Sequence, residues 1–166
     1  MDYLIRLTTL EDLPQVRKVY EHARFIMRES GNSQQWVEGY PQENIIREDI
    51  FLSQHYLIEK EGMVIAVFAF IEGEDPTYQF IEGQWLNDEK YGVIHRLGSL
   101  QKEKGILKKC IDYCFERVDN IRVDTHEDNA IMRYLLVKYG FTECGVIYLQ
   151  NGSPRIAYQK NNKSHH

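Results

Sequence analysis

Cysteine is scarce in this sequence, and neither of the patterns that would shape a fold around it is present. The three cysteines, Cys110, Cys114 and Cys144, are an odd number, so no disulfide framework is expected. Cys110 and Cys114 lie one helical turn apart without a second Cys or His pair at ligand spacing, which excludes a zinc site. They are expected to be reduced, mostly buried thiols of a cytoplasmic protein. No apolar run approaches the ~20 residues a membrane span requires. The N-terminus shows no basic-then-apolar leader, so a soluble protein with no membrane partner is expected. A basic excess is also lacking: the net charge is −5, which argues against a nucleic-acid partner, since phosphate neutralisation needs a basic face. Internal repeats, low-complexity tracts and composition breaks are missing too. One domain is expected over residues 1–160, with a polar tail over 161–166 that is set aside.

What is present suits a packed core. At 166 residues, 43% hydrophobic and 12% aromatic, the chain is long enough to bury about two-thirds of its unfolded surface. A short strand over Tyr3 to Thr8 leads, through a cap at Thr8–Glu11 or Thr9–Asp12, into a helix with Leu10, Leu13, Val16, Val19, Ala23 and Ile26 or Met27 on one face. Ser30, Gly31 and Asn32 stop it. A second helix is predicted to open at Pro41, with Ile45, Ile46, Ile50 and Phe51 inward. Strands His55–Glu59 and Met63–Ile71 are joined by a hairpin turn at Glu61-Gly62. The second is apolar on both faces and should be central. Residues 72–90 are too rich in aromatics, with Tyr78, Phe80 and Trp85, to be a plain linker. They are expected to form a short strand and turn or to cover a pocket.

The stretch Tyr91 to Leu107 is the most informative. It reads as a buried strand, Val93 to Leu97, a turn at Gly98 and Ser99, and a basic approach to a helix opening at Gly105. Strand, turn and helix start make a place to hold an anion, because the first N–H groups of a helix lack partners and carry partial positive charge. Gly105 allows close backbone approach, and Lys102 and Lys104 add charge beside it. The helix that follows buries Ile106, Cys110, Ile111, Cys114 and Phe115. Then come a strand over Ile121–Thr125, a helix closed by Lys138-Tyr139-Gly140-Phe141, and strands Glu143–Tyr148 and Arg155–Gln159 around a turn at Asn151-Gly152.

This order resembles the GNAT superfamily of N-acetyltransferases over nearly the whole chain. The family's Asn-x-x-Ala-x-x-x-Tyr-x-Lys-x-Gly-Phe helix is matched at Asn129, Lys138, Gly140 and Phe141, with Met132 where Ala is usual and Leu136 where the acidic Tyr stands. Its Gln/Arg-x-x-Gly-x-Gly/Ala loop falls on Lys102, Gly105 and Leu107. The resemblance implies an α/β (α+β) fold, with a mixed central sheet of about six to seven strands flanked by about four helices in the order β-α-α-β-β-β-α-β-α-β-β. It also implies acetyl-CoA as cosubstrate, with the pantetheine arm along Leu97, Gly98 and Ser99. The pyrophosphate then meets Lys102, Glu103, Lys104, Gly105, Ile106 and Leu107, with Asn129 close by. The expected acceptor is a small amine, an amino acid or a peptide. Trp36, Tyr78 and Trp85 are expected to wall its pocket, although Trp36 can also be read as a plug between helices. The oligomeric state stays open, a homodimer included.

Acetyl transfer to an amine needs a held thioester, removal of a proton from an amine whose pKa is near ~10.4, and a donor for the leaving thiolate. His95, in the central strand, is the first candidate base, with His126 and Glu82 behind it; a core histidine bonded to a carbonyl is the alternative for His95. Leu136 has no proton to give, which leaves Tyr139, about 60° around the helix, or water. Two other readings stay open: a non-catalytic CoA-binding or sensor module, and an unrelated fold whose basic turn binds another anion such as a nucleotide.

Overall fold

The stretch Met63 to Ile71, apolar on both sides, ends up inside a sheet covered on both faces, as such a run must. In this computed structural model, which describes residues 3–37, 39–100 and 104–162, the chain runs β1 (Tyr3–Leu7), α1 (Leu13–Glu29), α2 (Glu43–Phe51), β2 (His55–Lys60), β3 (Met63–Glu72), β4 (Glu82–Gly83), β5 (Gly92–Ser99), α3 (Ile106–Phe115), β6 (Asn120–Thr125), α4 (Ala130–Lys138), β7 (Thr142–Tyr148) and β8 (Pro154–Asn161). One mixed sheet has the order β1-β2-β3-β5-β6-β8-β7-β4.

The strand count is eight, one or two above expectation. The addition is β4, two residues paired with β7 at Glu82–Val146 and Gly83–Gly145. Both glycines have positive φ, and a Cβ on either would collide with the facing backbone. A short strand is one expectation for residues 72–90, but two residues carry no periodicity, so pattern cannot place it. The first helix also starts later than predicted. A 3-10 turn over Leu10–Asp12 comes first, with Thr9 and Asp12 forming the capping box and Leu10 left exposed. In α2, Ile46 is inward, but Phe51 is 85% exposed and Asp49 is buried in its place. The reason is an ion pair described below.

Two layers of helix cover the sheet. On one face α3 and α4 pack Ile106, Cys110, Ile111 and Leu136 on Phe68, Phe70, Ile94, Ile121 and Val123. On the other, α1 and α2 pack Val16, Val19, Tyr20 and Ile46 on Leu57, Val64 and Val67, with Trp36 in the same cluster.

The sheet is two antiparallel halves joined by a single short parallel contact. β5 meets β6 only at Gly92–Ile121 and Val93–Arg122, and the two strands then part. A bulge bends β5 at that point: Val67 faces Gly98 and Ala69 faces His95, so Arg96 and Leu97 stand opposite Phe68 alone. Arg96 is held at φ 52, a conformation that costs a non-glycine residue on the order of 1–3 kcal/mol. Its surroundings fix it there. The Tyr20 hydroxyl donates to the Arg96 carbonyl at 2.9 Å, the guanidinium donates to both Asp49 carboxylate oxygens at 2.8 and 2.9 Å, and Nη1 donates to Tyr40 Oη at 3.2 Å. Asp49 thus turns inward on α2 to meet Arg96.

Behind Tyr20 stands His55, fully buried, with Nε2 at 2.9 Å from the Tyr20 hydroxyl and Nδ1 at 2.7 Å from Thr8 Oγ1. Tyr20 gives its proton to the carbonyl, so it accepts from His55 Nε2–H, and Nδ1 accepts from Thr8. Burial pushes the imidazole down to about 4 from its ordinary 6.5. The unfolded chain therefore takes up this proton first as pH falls. Stability from this group is complete above 6.5 and is lost toward about 4, by about 3 kcal/mol at most. Urea midpoints should drop across that window, and His55→Gln should flatten the drop.

Candidate active site

Where β5 and β6 part, a cavity of about 430 Å³ opens. Its walls are Ala23, Ile26 and Met27 of α1, Asn32 just after it, Leu97 to Ser99 at the end of β5, Lys104 to Leu107, and Asn129, Met132, Leu135 and Tyr139 along α4. α1 and α4 lie on opposite faces of the sheet, so the cavity, bordered by the end of β5, reaches from one helix layer to the other. Of the residues expected to hold a cofactor, Leu97, Gly98, Ser99, Lys104, Gly105, Ile106, Leu107 and Asn129 all line it. Lys102 and Glu103 lie outside the described residues.

Local geometry explains what this wall offers. Gly105 caps α3 in the left-handed region, φ 79, where a side chain would be strained. The first intrahelical bond runs from Lys109 N–H to the Gly105 carbonyl, and among the described residues the N–H groups of the first turn have no intrahelical partner. Gly98 lets α1 come close: a Cβ there would stand 3.3 Å from Ala23 Cβ and from the Tyr20 ring. Beyond Val93, β5 has no strand partner toward β6 among the described residues. Its backbone groups there can pair with an extended chain.

The α1–α2 connection closes the gap through one residue that the sequence reading passed over. Gln35 Oε1 accepts from Asn32 Nδ2 at 3.0 Å, Thr125 Oγ1 at 3.2 Å and Asn129 Nδ2 at 3.1 Å. Its carbonyl accepts from Arg155 at 3.3 Å. Asn129 spends its other atom on the α4 cap, Oδ1 accepting from Met132 N–H at 3.1 Å. No sequence signal marks Gln35, since a polar residue in a polar loop is unremarkable.

His95 does not line the cavity. It faces the α1 side, in register with Ala69, one residue before the bulge. Its Nε2 lies 2.8 Å from Asp75 Oδ2, a partner that no spacing in the sequence suggests. Burial raises the Asp75 carboxyl, but hydrogen bonds from His95 and Thr77 outweigh it and bring the group to about 2. Asp75 is therefore ionised, Nε2 carries the proton, and Nδ1 of a neutral His95 is left as the basic nitrogen. Of the other candidate bases, His126 uses Nδ1 to accept the Asp128 N–H at 3.0 Å, a capping role, and Glu82 on β4 accepts from the exposed Tyr148 hydroxyl on β7.

The aromatic residues divide. Trp36 packs edge-on to Tyr20 and Tyr40 beneath α1. Tyr78 and Trp85 belong to a separate cluster with Tyr91, Val93, Ile147 and Ala157. Residues 76–85 thus cover the sheet, and Trp36 and Trp85 do not share a pocket wall there. Tyr78 Oη donates to Asp124 Oδ2 at 2.6 Å; burial first, and then this carboxylate, push its phenol up. A second cavity, between Glu72–Glu74, Asp88–Tyr91 and Arg117–Asn120, holds none of the candidate site residues.

No protein-family model matches the chain, and no curated protein matches it. Among solved structures it is similar to an acetyltransferase of the GNAT family from Streptococcus agalactiae, with 32% identity over 96% of this chain and 95% of that one and a TM-score of 0.87. A GNAT-family acetyltransferase from Listeria monocytogenes shares 23% identity over 96% and 94% of the two chains, with a TM-score of 0.70. A ribosomal-protein-alanine N-acetyltransferase from Brucella melitensis shares 20% over 95% and 99%, with a TM-score of 0.63.

Leu136 is fully buried against the sheet, while Tyr139 lines the cavity. A phenol at position 136 would thus enter a filled core and bury a hydroxyl. Leu136→Tyr should destabilise the protein by about 1–3 kcal/mol, read as a lowered urea midpoint.

Proposed function

The chain belongs to the GNAT family of acetyltransferases, and on that premise we propose that it transfers an acetyl group from acetyl-CoA to a primary amine of a small molecule, an amino acid or a peptide, in the cytoplasm. The observation that carries this reading is the cavity at the end of β5, which gathers that strand end, the start of α3, Asn129 and Tyr139.

The residues present fit the cosubstrate. The N–H groups at the start of α3 and the Lys104 ammonium suit a pyrophosphate, and the backbone of Leu97 to Ser99 suits the amides of a pantetheine arm. When bound, acetyl-CoA supplies an acyl group activated as a thioester. Asp75 fixes the tautomer of His95, so that Nδ1 accepts the proton an alkyl ammonium must lose, directly or through a water. The acceptor approaches from the α1 side, which His95 faces. Tyr139 gives a proton to the departing sulfur; a thiolate of pKa near ~8.5 is also a tolerable leaving group toward water. Protein N-termini are included among the acceptors to offer, because one structural relative is named for ribosomal-protein alanine. One observation favours a second reading, a CoA-binding module without turnover: Leu136 in the core removes the phenol that the family places there.

CoA should raise the melting temperature, and Gly105→Asp should remove that shift by adding a side chain at positive φ and a negative charge beside the phosphate. No shift at millimolar CoA, with folded protein, would sink the cosubstrate assignment. Thiol release with a panel of amines tests turnover. His95→Ala and Asp75→Asn should each lower kcat tenfold or more, roughly in line with loss of one general base, while CoA affinity is retained. Tyr139→Phe, assayed alongside them, separates the phenol from water as the acid. CoA binding without thiol release from any amine would leave the binding module as the function.

A further inference from the structure

Among the described residues, two buried side-chain polar atoms have no hydrogen-bond partner, Asn32 Oδ1 and Arg122 Nε. The Arg122 guanidinium lies between the rings of Trp85 and Tyr91, at 4.1 and 4.0 Å from their centroids, and needs no ligand to account for its place. Asn32 is different. It is 2% exposed, and it lines the cavity at the end of β5. A buried acceptor without a donor is costly, and one on a residue that lines a cavity is a place where a ligand or a water can bring the missing donor.

The identity of the free atom is fixed by its neighbours. Asn32 Nδ2 donates to Gln35 Oε1, whose oxygen is itself identified by two further donors, Thr125 Oγ1 and the Asn129 amide. Turning the Asn32 amide over would set oxygen against oxygen at that contact. The free atom is an acceptor, so the ligand must bring a donor. Phosphate oxygens of a CoA molecule bring none at neutral pH. Its donors are the hydroxyl and the two amide N–H groups of the pantetheine arm and, beyond the pyrophosphate, the ribose hydroxyl and the adenine amino group; only the amides repeat along the arm as a strand's do.

The fold selects between these. Thr125 shares a face of β6 with Val123, the α3 and α4 face. Gln35 reaches Thr125 and Asn129 there, so it holds the Asn32 amide on the same side of the gap, although the Asn32 backbone follows α1. If the pyrophosphate sits at Gly105 to Leu107, the adenine lies outward of it and the arm runs inward, past Asn32. Resting on the acetyl-CoA reading above, we infer that Asn32 Oδ1 accepts the arm amide N–H that faces away from β5, and so fixes the arm from the side opposite its strand-like pairing. A chain paired along one edge presents its remaining amide groups to the other side, and Asn32 supplies the partner there.

Calorimetric titration tests this with two ligands, CoA and adenosine 3′,5′-bisphosphate, which keeps the nucleotide but has no arm. Asn32→Leu should weaken CoA binding about tenfold, the loss typical of one buried hydrogen bond, and leave the nucleotide unaffected. Equal CoA affinity in parent and variant overturns the inference, as does equal weakening of both ligands. A CoA analogue with that arm amide replaced by an ester gives a check on the unmutated protein. The analogue should bind more weakly than CoA to the parent, and the two should bind alike to Asn32→Leu; an analogue as tight as CoA on the parent overturns the assignment. A parent that binds no CoA overturns the acetyl-CoA reading itself, whereas a parent that binds CoA with no change on substitution overturns the Asn32 contact alone.

Discussion

The structure depends on a short parallel contact between β5 and β6 being allowed to fail after two residue pairs. A continuous ladder would close the sheet and leave no passage. The strands part because β5 bulges at Arg96, and the bulge survives because three separate elements hold it: Tyr20 from α1, Asp49 from α2 and Tyr40 from the connection between them. Each makes contact only when the helices are docked, so strain in the strand and packing of the α1–α2 layer are one cooperative arrangement. Burial raises the Asp49 carboxyl, with Arg96 working against it, so the pair is costly to bury and costly to break. Its return is geometric: it fixes where the strand turns.

From that gap the division of chemistry follows. The α3 and α4 face presents the start of α3, Lys104, Lys138 and neutral amides. The α1 face presents the Asp75–His95 pair, the Tyr78–Asp124 pair and Arg155 on the Gln35 carbonyl. Environment separates the groups further, with Asp75 held near 2 by its hydrogen bonds and the Tyr78 phenol pushed up by burial. A net charge of −5 need not set the field at the cavity, which depends on nearby dipoles and cations, Lys104 and Lys138 among the described residues.

Neutral amides link the two sides. Gln35 collects Asn32, Thr125 and Asn129 on one oxygen, and so ties the connection after α1 to the end of β6 and the cap of α4. Asn129 is at once a helix cap and a cavity wall. Any shift of the α1–α2 connection is thereby felt at the start of α4, a coupling carried by hydrogen bonds that exclude most rotamers of each member.

The sequence by itself determined what local chemistry decides. The apolar run at Met63, the turns at Glu61-Gly62 and Asn151-Gly152 and the helix start marked by Gly105 each follow from side-chain periodicity or backbone freedom within a few residues. The element order follows from them, and with it the end of β5 and the start of α3 as neighbours along one cavity. Tertiary structure alone decided the rest. Asp75 meets His95 across 20 residues, Asp49 meets Arg96 across 47, and Gln35 meets Asn129 across 94. Phe51 stays outside because Asp49 takes the inward position, and β4 exists because two glycines let backbones touch. Such pairings depend on which surfaces are brought together after the chain has folded, and a hydrogen bond between distant polar residues leaves no period in the sequence that makes it.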